Sequence, residues 1–212
     1  MRTFEALKLD TVQLSRSLND LETFLAAPSK TRERDHILPF FAERPHLCTA
    51  LGLFNNAVEL PDRWARELDL FGDFRCDAAA GDSEANAYTL IEFEDATEYS
   101  IFARRQAGKT MKRWSARFEH GFSQLVDWAW RLSDEGESAA FRRIFGDSHP
   151  TLHFLLIAGR DADLTRDDLT RLRWRASHTT IGPYRMSCLT FDSVLQSLRR
   201  RLSLAEQPGL TG

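Results

Sequence analysis

YTLIEFEDA, residues 88–96, begins as a buried strand and ends in acid. Tyr88 to Phe93 are mostly aromatic, aliphatic or β-branched, the residues that suit a strand. Successive strand side chains point to opposite faces. Thr89, Ile91 and Phe93 therefore share one face, and Tyr88, Leu90, Glu92 and Glu94 share the other. Two carboxylates at i and i+2 repel each other unless positive charge lies between them. The stretch thus brings paired acids to the end of a core strand.

The segments before it point the same way. RWARELDL (63–70) alternates partly like a strand, and FRCDAAA (74–80) is a short strand. GDSEAN (81–86) has turn chemistry, so AYTLIEF (87–93) returns antiparallel. Pairing through that turn brings Asp77 towards Glu92. Asp77, Glu92 and Glu94 at one strand edge would make a hard-cation site with oxygen ligands and room for water and phosphate. The same residues also read as a solvated acidic turn where the strand frays.

Further out, the chain reads as mixed α/β. Apolar spacing predicts a helix over 3–27, ended by Pro28. A second helix capped by Thr31 faces Ile37, Phe40 and Phe41 inward, and a short one covers 47–55. After the meander come a long helix over 112–132, a short helix over 138–145 and an apolar strand at 152–159. A helix at 165–177, a strand at 184–191 and a helix at 192–202 complete the pattern. Strands that alternate with helices predict a mixed central sheet flanked by helices. The expected organisation is a helical N-terminal region at 1–57, a core at 58–202 and a tail at 203–212.

Composition narrows the function classes. At 212 residues and 42% hydrophobic, the chain can bury one sizeable core. A net charge of −3 excludes a uniformly basic nucleic-acid binder, so any phosphate affinity must be local. Residues 101–120 supply such a field: Arg104, Arg105, Lys109, Lys112, Arg113 and Arg117 stand against the single acid Glu119. An ordinary solvated basic loop would look the same. On a helix from 112, Arg113, Arg117, His120 and Gln124 fall on one stripe beside the apolar face. Cys48, Cys76 and Cys188 are too far apart for a zinc module or disulfide frame. With no leader pattern and no membrane-length apolar run, this predicts a cytoplasmic protein. His36, His46, His149, His153 and His178 show no metal-ligand spacing. Cys188 reads as a core thiol, Arg199 to Arg201 as a favourable helix end, and the tryptophans as core.

Asp77, a turn and a strand ending in E-x-E resemble the core of the PD-(D/E)XK nucleases. More closely, ELDLFGDFRCDAAAGD, YTLIEFEDA, RFEHGFSQLVDWAWRL, LHFLLIAGR and CLTFDSVL are similar, in order, to blocks of the Shedu family of bacterial anti-phage nucleases. ERDHILPFFAERPHLC (33–48) resembles the helical segment preceding them. The resemblance implies a PD-(D/E)XK-like fold, hydrolysis of DNA with Mg²⁺ or Mn²⁺, and a homo-oligomer. It gives Asp77 and Glu92 the metal-ligand roles and Gln124 the helix glutamine role, with Trp128 where many members carry Tyr. Lys109, Lys112, Arg113 and Arg117 become the phosphate-binding candidates, and Glu67 an auxiliary acid.

Glu94 departs from the pattern, because the family usually carries Lys there. A carboxylate cannot offer that positive charge. Three outcomes stay open: Glu94 acts as a catalytic base or binds a second metal; Lys109 or Lys112 reaches in; or cleavage is lost while binding survives. The resemblance therefore also admits a catalytically impaired protein that binds nucleic acid or senses phage, or a regulatory scaffold.

Overall fold

The computed structural model describes residues 3–27, 32–136, 138–146 and 149–205. It opens on a two-residue edge strand, β1 (Glu5–Ala6), followed by helix α1 (Thr11–Ala26). The Asp10 side chain accepts hydrogen bonds from the Val12 and Gln13 amides at 2.8 and 2.9 Å, which fixes the helix start. The helix expected over 3–27 is thus shorter, and its first residues pair with the sheet instead. Thr31, expected to cap the second helix, lies outside the described residues. That segment enters through a π-helical turn, Glu33–Ile37, which runs into α2 (Leu38–Ala42). Helix α3 (Pro45–Ala50) and a 3-10 turn at Leu51–Phe54 follow.

The sheet is formed by β2 (Arg63–Leu70), β3 (Phe74–Asp82), β4 (Ala87–Phe93), β5 (Thr151–Ile157), β6 (Thr180–Ile181) and β7 (Tyr184–Leu189) together with β1. The spatial order is β1-β2-β3-β4-β5-β7-β6. β2, β3 and β4 form the expected antiparallel meander, while β4, β5 and β7 run parallel. The parallel crossovers carry α4 (Ala116–Glu135), α5 (Ala139–Phe145) and α6 (Arg166–His178). Helix α7 (Phe191–Ala205) closes the described chain. The mixed α/β class is as the sequence reading expected.

Every residue of β4 is buried, because helices cover both faces of the sheet. Leu90, Leu125, Trp128, Phe154 and Leu172 form the core on the α4–α6 side. Leu18, Phe41, Ile91, Phe93 and Val194 form the opposite core with α1, α2, α3 and α7. The N-terminal helices therefore share a core with the strands. Each fully buried Leu or Phe contributes roughly 1.5–3 kcal/mol. The β3–β4 hairpin depends on Gly81, where a Cβ would stand 2.3 Å from the Tyr88 ring. Among the described residues, no helix is long and apolar enough to cross a membrane.

Helix α4 starts later than the sequence spacing suggested. Ser115 Oγ accepts the Phe118 amide at 3.0 Å and caps it. Lys112 and Arg113 therefore precede the helix, and the stripe of Arg113, Arg117, His120 and Gln124 loses its first member.

Candidate active site

The β3–β4 ladder ends with Ala78 opposite Ile91, and the next residues on the two strands are Asp77 and Glu92. The strands do not simply alternate here. Cys76 and Ala79 lie in the same core cluster, as do Ala65 and Leu68 on β2. Between the pairs Arg66–Ala78 and Leu68–Cys76 sit Glu67 and Asp77. Glu67 has φ of 50°, a left-handed conformation that costs a residue with a side chain roughly 1–2 kcal/mol. This kink re-aims Asp77 at the end of the hairpin. The Asp77 Oδ2 accepts the Phe93 amide at 2.8 Å, which ties it to β4. Burial pushes its pKa up to about 7, against the lowering effect of that hydrogen bond.

Glu92 is reached from α4. Gln124 Nε2 donates to Glu92 Oε1 at 2.7 Å. Glu92 Oε2 is buried and has no hydrogen-bond partner. An orphaned buried oxygen of this kind costs free energy unless something outside the chain binds it. Burial pushes the Glu92 pKa well above the carboxylate range, and the charges of Asp77, Glu94 and Glu33 push it the same way.

Glu94 lies deeper, at 1% side-chain exposure, and turns to Arg117, whose Nη1 stands 3.3 Å from its Oε2. Burial raises its pKa to about 8, with Glu33 adding to the rise and Arg117 opposing it. Room for Glu94 comes from Gly121 on α4. A Cβ there would lie 2.9 Å from Leu156 and 3.0 Å from Glu94. The expected convergence of three acids is thus corrected. Asp77 and Glu92 meet at the strand ends and line a cleft of about 940 Å³, whereas Glu94 pairs with a guanidinium behind them.

Arg117, Gln124, His120, Glu67, Asp95 and Glu33 also border that cleft. Glu33 comes from the N-terminal π-helical turn, and no local spacing announces its arrival there. The sequence reading passed over Gly121, although an isolated glycine inside a helical pattern can signal close packing. The other basic candidates lie elsewhere. Lys112 Nζ is held 2.8 Å from Asp168 Oδ2, while Lys109 and Arg113 are exposed on the segment before α4. Neither Lys109 nor Lys112 reaches Glu94; the cation beside it is Arg117.

Among the described residues, no three His, Cys, Asp or Glu side chains gather as a closed metal site. Mg²⁺ does not require one: it is bound by one or two carboxylates and keeps several waters for exchange with phosphate. Asp77 and Glu92 fit that demand, with Glu92 Oε2 as the unpartnered donor. No curated protein matches the chain. Residues 30–195 match the family described as Shedu protein SduA, C-terminal. That span is most of the 212 residues, and the chain belongs to the Shedu family.

Proposed function

We propose that this protein is an anti-phage nuclease with a PD-(D/E)XK-like core, hydrolysing DNA phosphodiesters with Mg²⁺ or Mn²⁺. The observation that carries the reading is the pair Asp77 and Glu92 at the cleft, with one Glu92 oxygen buried and unpartnered. Membership of the Shedu family supports the defence role.

Asp77 and Glu92 are the residues that would hold the ion. A bound Mg²⁺ would supply charge to a phosphoryl oxygen and lower the pKa of a water. Gln124 fixes Glu92 Oε1 and so leaves Oε2 for that duty. Glu94, buried behind the pair and turned to Arg117, would hold that arginine in place rather than touch the reacting water. Arg117 borders the cleft and serves as the inner phosphate contact. Lys109, Lys112 and Arg113 would meet phosphates further along the strand.

Nicking of supercoiled plasmid tests the reading. The wild type should cut with Mg²⁺ or Mn²⁺ and stop with chelator, and Asp77→Ala should not cut. Undiminished cutting by Asp77→Ala overturns the assignment. A binding role without cleavage draws on a different observation, the burial of Glu94 against Arg117. Salt-sensitive duplex binding by a wild type that never nicks would favour it.

A further inference from the structure

Glu33 lies far from the strands in sequence, yet it is built into the cleft through both backbone and side chain. Its N–H donates to Asp95 Oδ1 at 2.7 Å, and its Oε2 accepts from Arg117 Nη1 at 3.0 Å. The same Nη1 lies 3.3 Å from Glu94 Oε2, and Nε lies 3.5 Å from Asp95 Oδ2. Carboxylates from three residues thus fix two nitrogens of one guanidinium. Among the described residues, Nη2 has no acceptor. Side-chain exposure follows the same gradient: Glu94 is 1% exposed, Glu33 15% and Arg117 45%. The arginine is gripped from inside and open towards the cleft.

Neutralising one guanidinium needs only one carboxylate. More than one is a surplus of acidic groups, which by itself works against phosphate binding. What the surplus supplies is geometry. An arginine loses rotamer freedom when it binds an anion, and a fork already held in place loses less. Preorganised donors aimed at developing charge act on the chemical step more than on binding.

We propose that Glu33 is a positioning residue, which with Glu94 and Asp95 cradles Arg117 so that its outer edge faces the phosphate reacting at Asp77 and Glu92. This rests on the nuclease reading. It assigns the N-terminal π-helical turn to the active site and makes Arg117 the cation of that site.

The test is single-turnover cleavage of a labelled duplex with Mg²⁺, alongside duplex affinity by fluorescence anisotropy, for wild type, Glu33→Gln, Arg117→Ala and the double variant. Circular dichroism establishes that each is folded, and Glu33→Asp serves as a second, milder replacement. Arg117→Ala should slow cleavage about 100-fold or more, as loss of one preorganised donor does. Glu33→Gln should slow it at least about 10-fold, with affinity unchanged or tighter, because a negative charge has gone. In the Arg117→Ala background, Glu33→Gln should change the rate less than about threefold, since coupled residues are not additive. An unchanged rate in Glu33→Gln, or the same loss with and without Arg117, overturns the proposal while leaving the nuclease reading intact. A wild type that does not cut removes both.

Discussion

Gln124 donates to Glu92 Oε1 at 2.7 Å, and the other Glu92 oxygen is buried without a partner. A helix amide thus orients a strand carboxylate and leaves one lone-pair set for a ligand. Outer contacts of this kind are worth about 10–100-fold in metal affinity or activity. Gln124→Ala should lower Mg²⁺-dependent nicking by that factor. It should also destabilise the metal-free protein by about 1–3 kcal/mol, the cost of a second orphaned oxygen. Nicking rates against Mg²⁺ concentration and urea melts check both.

Asp77 provides a pH signature. Its pKa is raised from 3.8 to about 7 by burial. A carboxylate raised by folding stabilises the fold below its unfolded pKa, and that contribution fades as pH climbs through the folded value. Metal-free wild type should therefore lose stability between pH 4 and pH 7 relative to Asp77→Asn. A divalent ion binds the ionised form and competes with protons. Its stabilising shift should grow across the same rise and be absent in Asp77→Asn. Thermal melts with and without Mg²⁺ from pH 5 to 8 read both effects; equal pH slopes for the two proteins would contradict the assignment.

Gly121 sets how closely α4 approaches the end of β4. A methyl there would press on Leu156 at 2.9 Å and Glu94 at 3.0 Å. Overpacking of this kind costs typically about 1–3 kcal/mol. Gly121→Ala should lower the urea midpoint accordingly, even though alanine is the better helix former. A gain in stability would show that the two elements separate without cost.

At the other end of the parallel strands, His153 Nε2 lies 3.0 Å from Ser187 Oγ. Burial, with the Arg185 charge adding, lowers its pKa from 6.5 to about 4. A depressed histidine stabilises the fold above its unfolded pKa, and that stability is lost as pH falls through the folded value. Wild type should lose roughly 2 kcal/mol relative to His153→Gln between pH 6.5 and pH 4, allowing for solvent screening. The comparison with the variant is needed because Asp77 and Glu94 contribute slopes of opposite sign. Chemical denaturation at several pH values measures the difference.

The strand reading of 88–93 carried most of the fold. Alternation assigned Leu90 and Ile91 to opposite faces, and the two core clusters divide the same way. The order of the meander and the later helices and strands was legible from apolar periodicity. β1 and β6 were not, since two residues are too few to alternate. The start of α4 was misplaced because the basic run before Ser115 continues a helical spacing that the cap interrupts.

The candidate site divides between local and distant chemistry. Asp77 and Glu92 could be paired from a turn and two strands, because hairpin register is a short-range property. The kink at Glu67, the turning of Glu94 to Arg117 and the capture of Lys112 by Asp168 could not. Each depends on which charge a distant segment brings within reach once the core has packed. Side-chain alternation and turn chemistry act between near neighbours, so they were enough to read β2 to β5 and β7, their faces, and the two acids that follow the last β3–β4 pair. Which cation stands beside Glu94, and that Glu33 joins the cleft, came from the packed fold, because a long charged side chain takes its partner from the packing of whole elements.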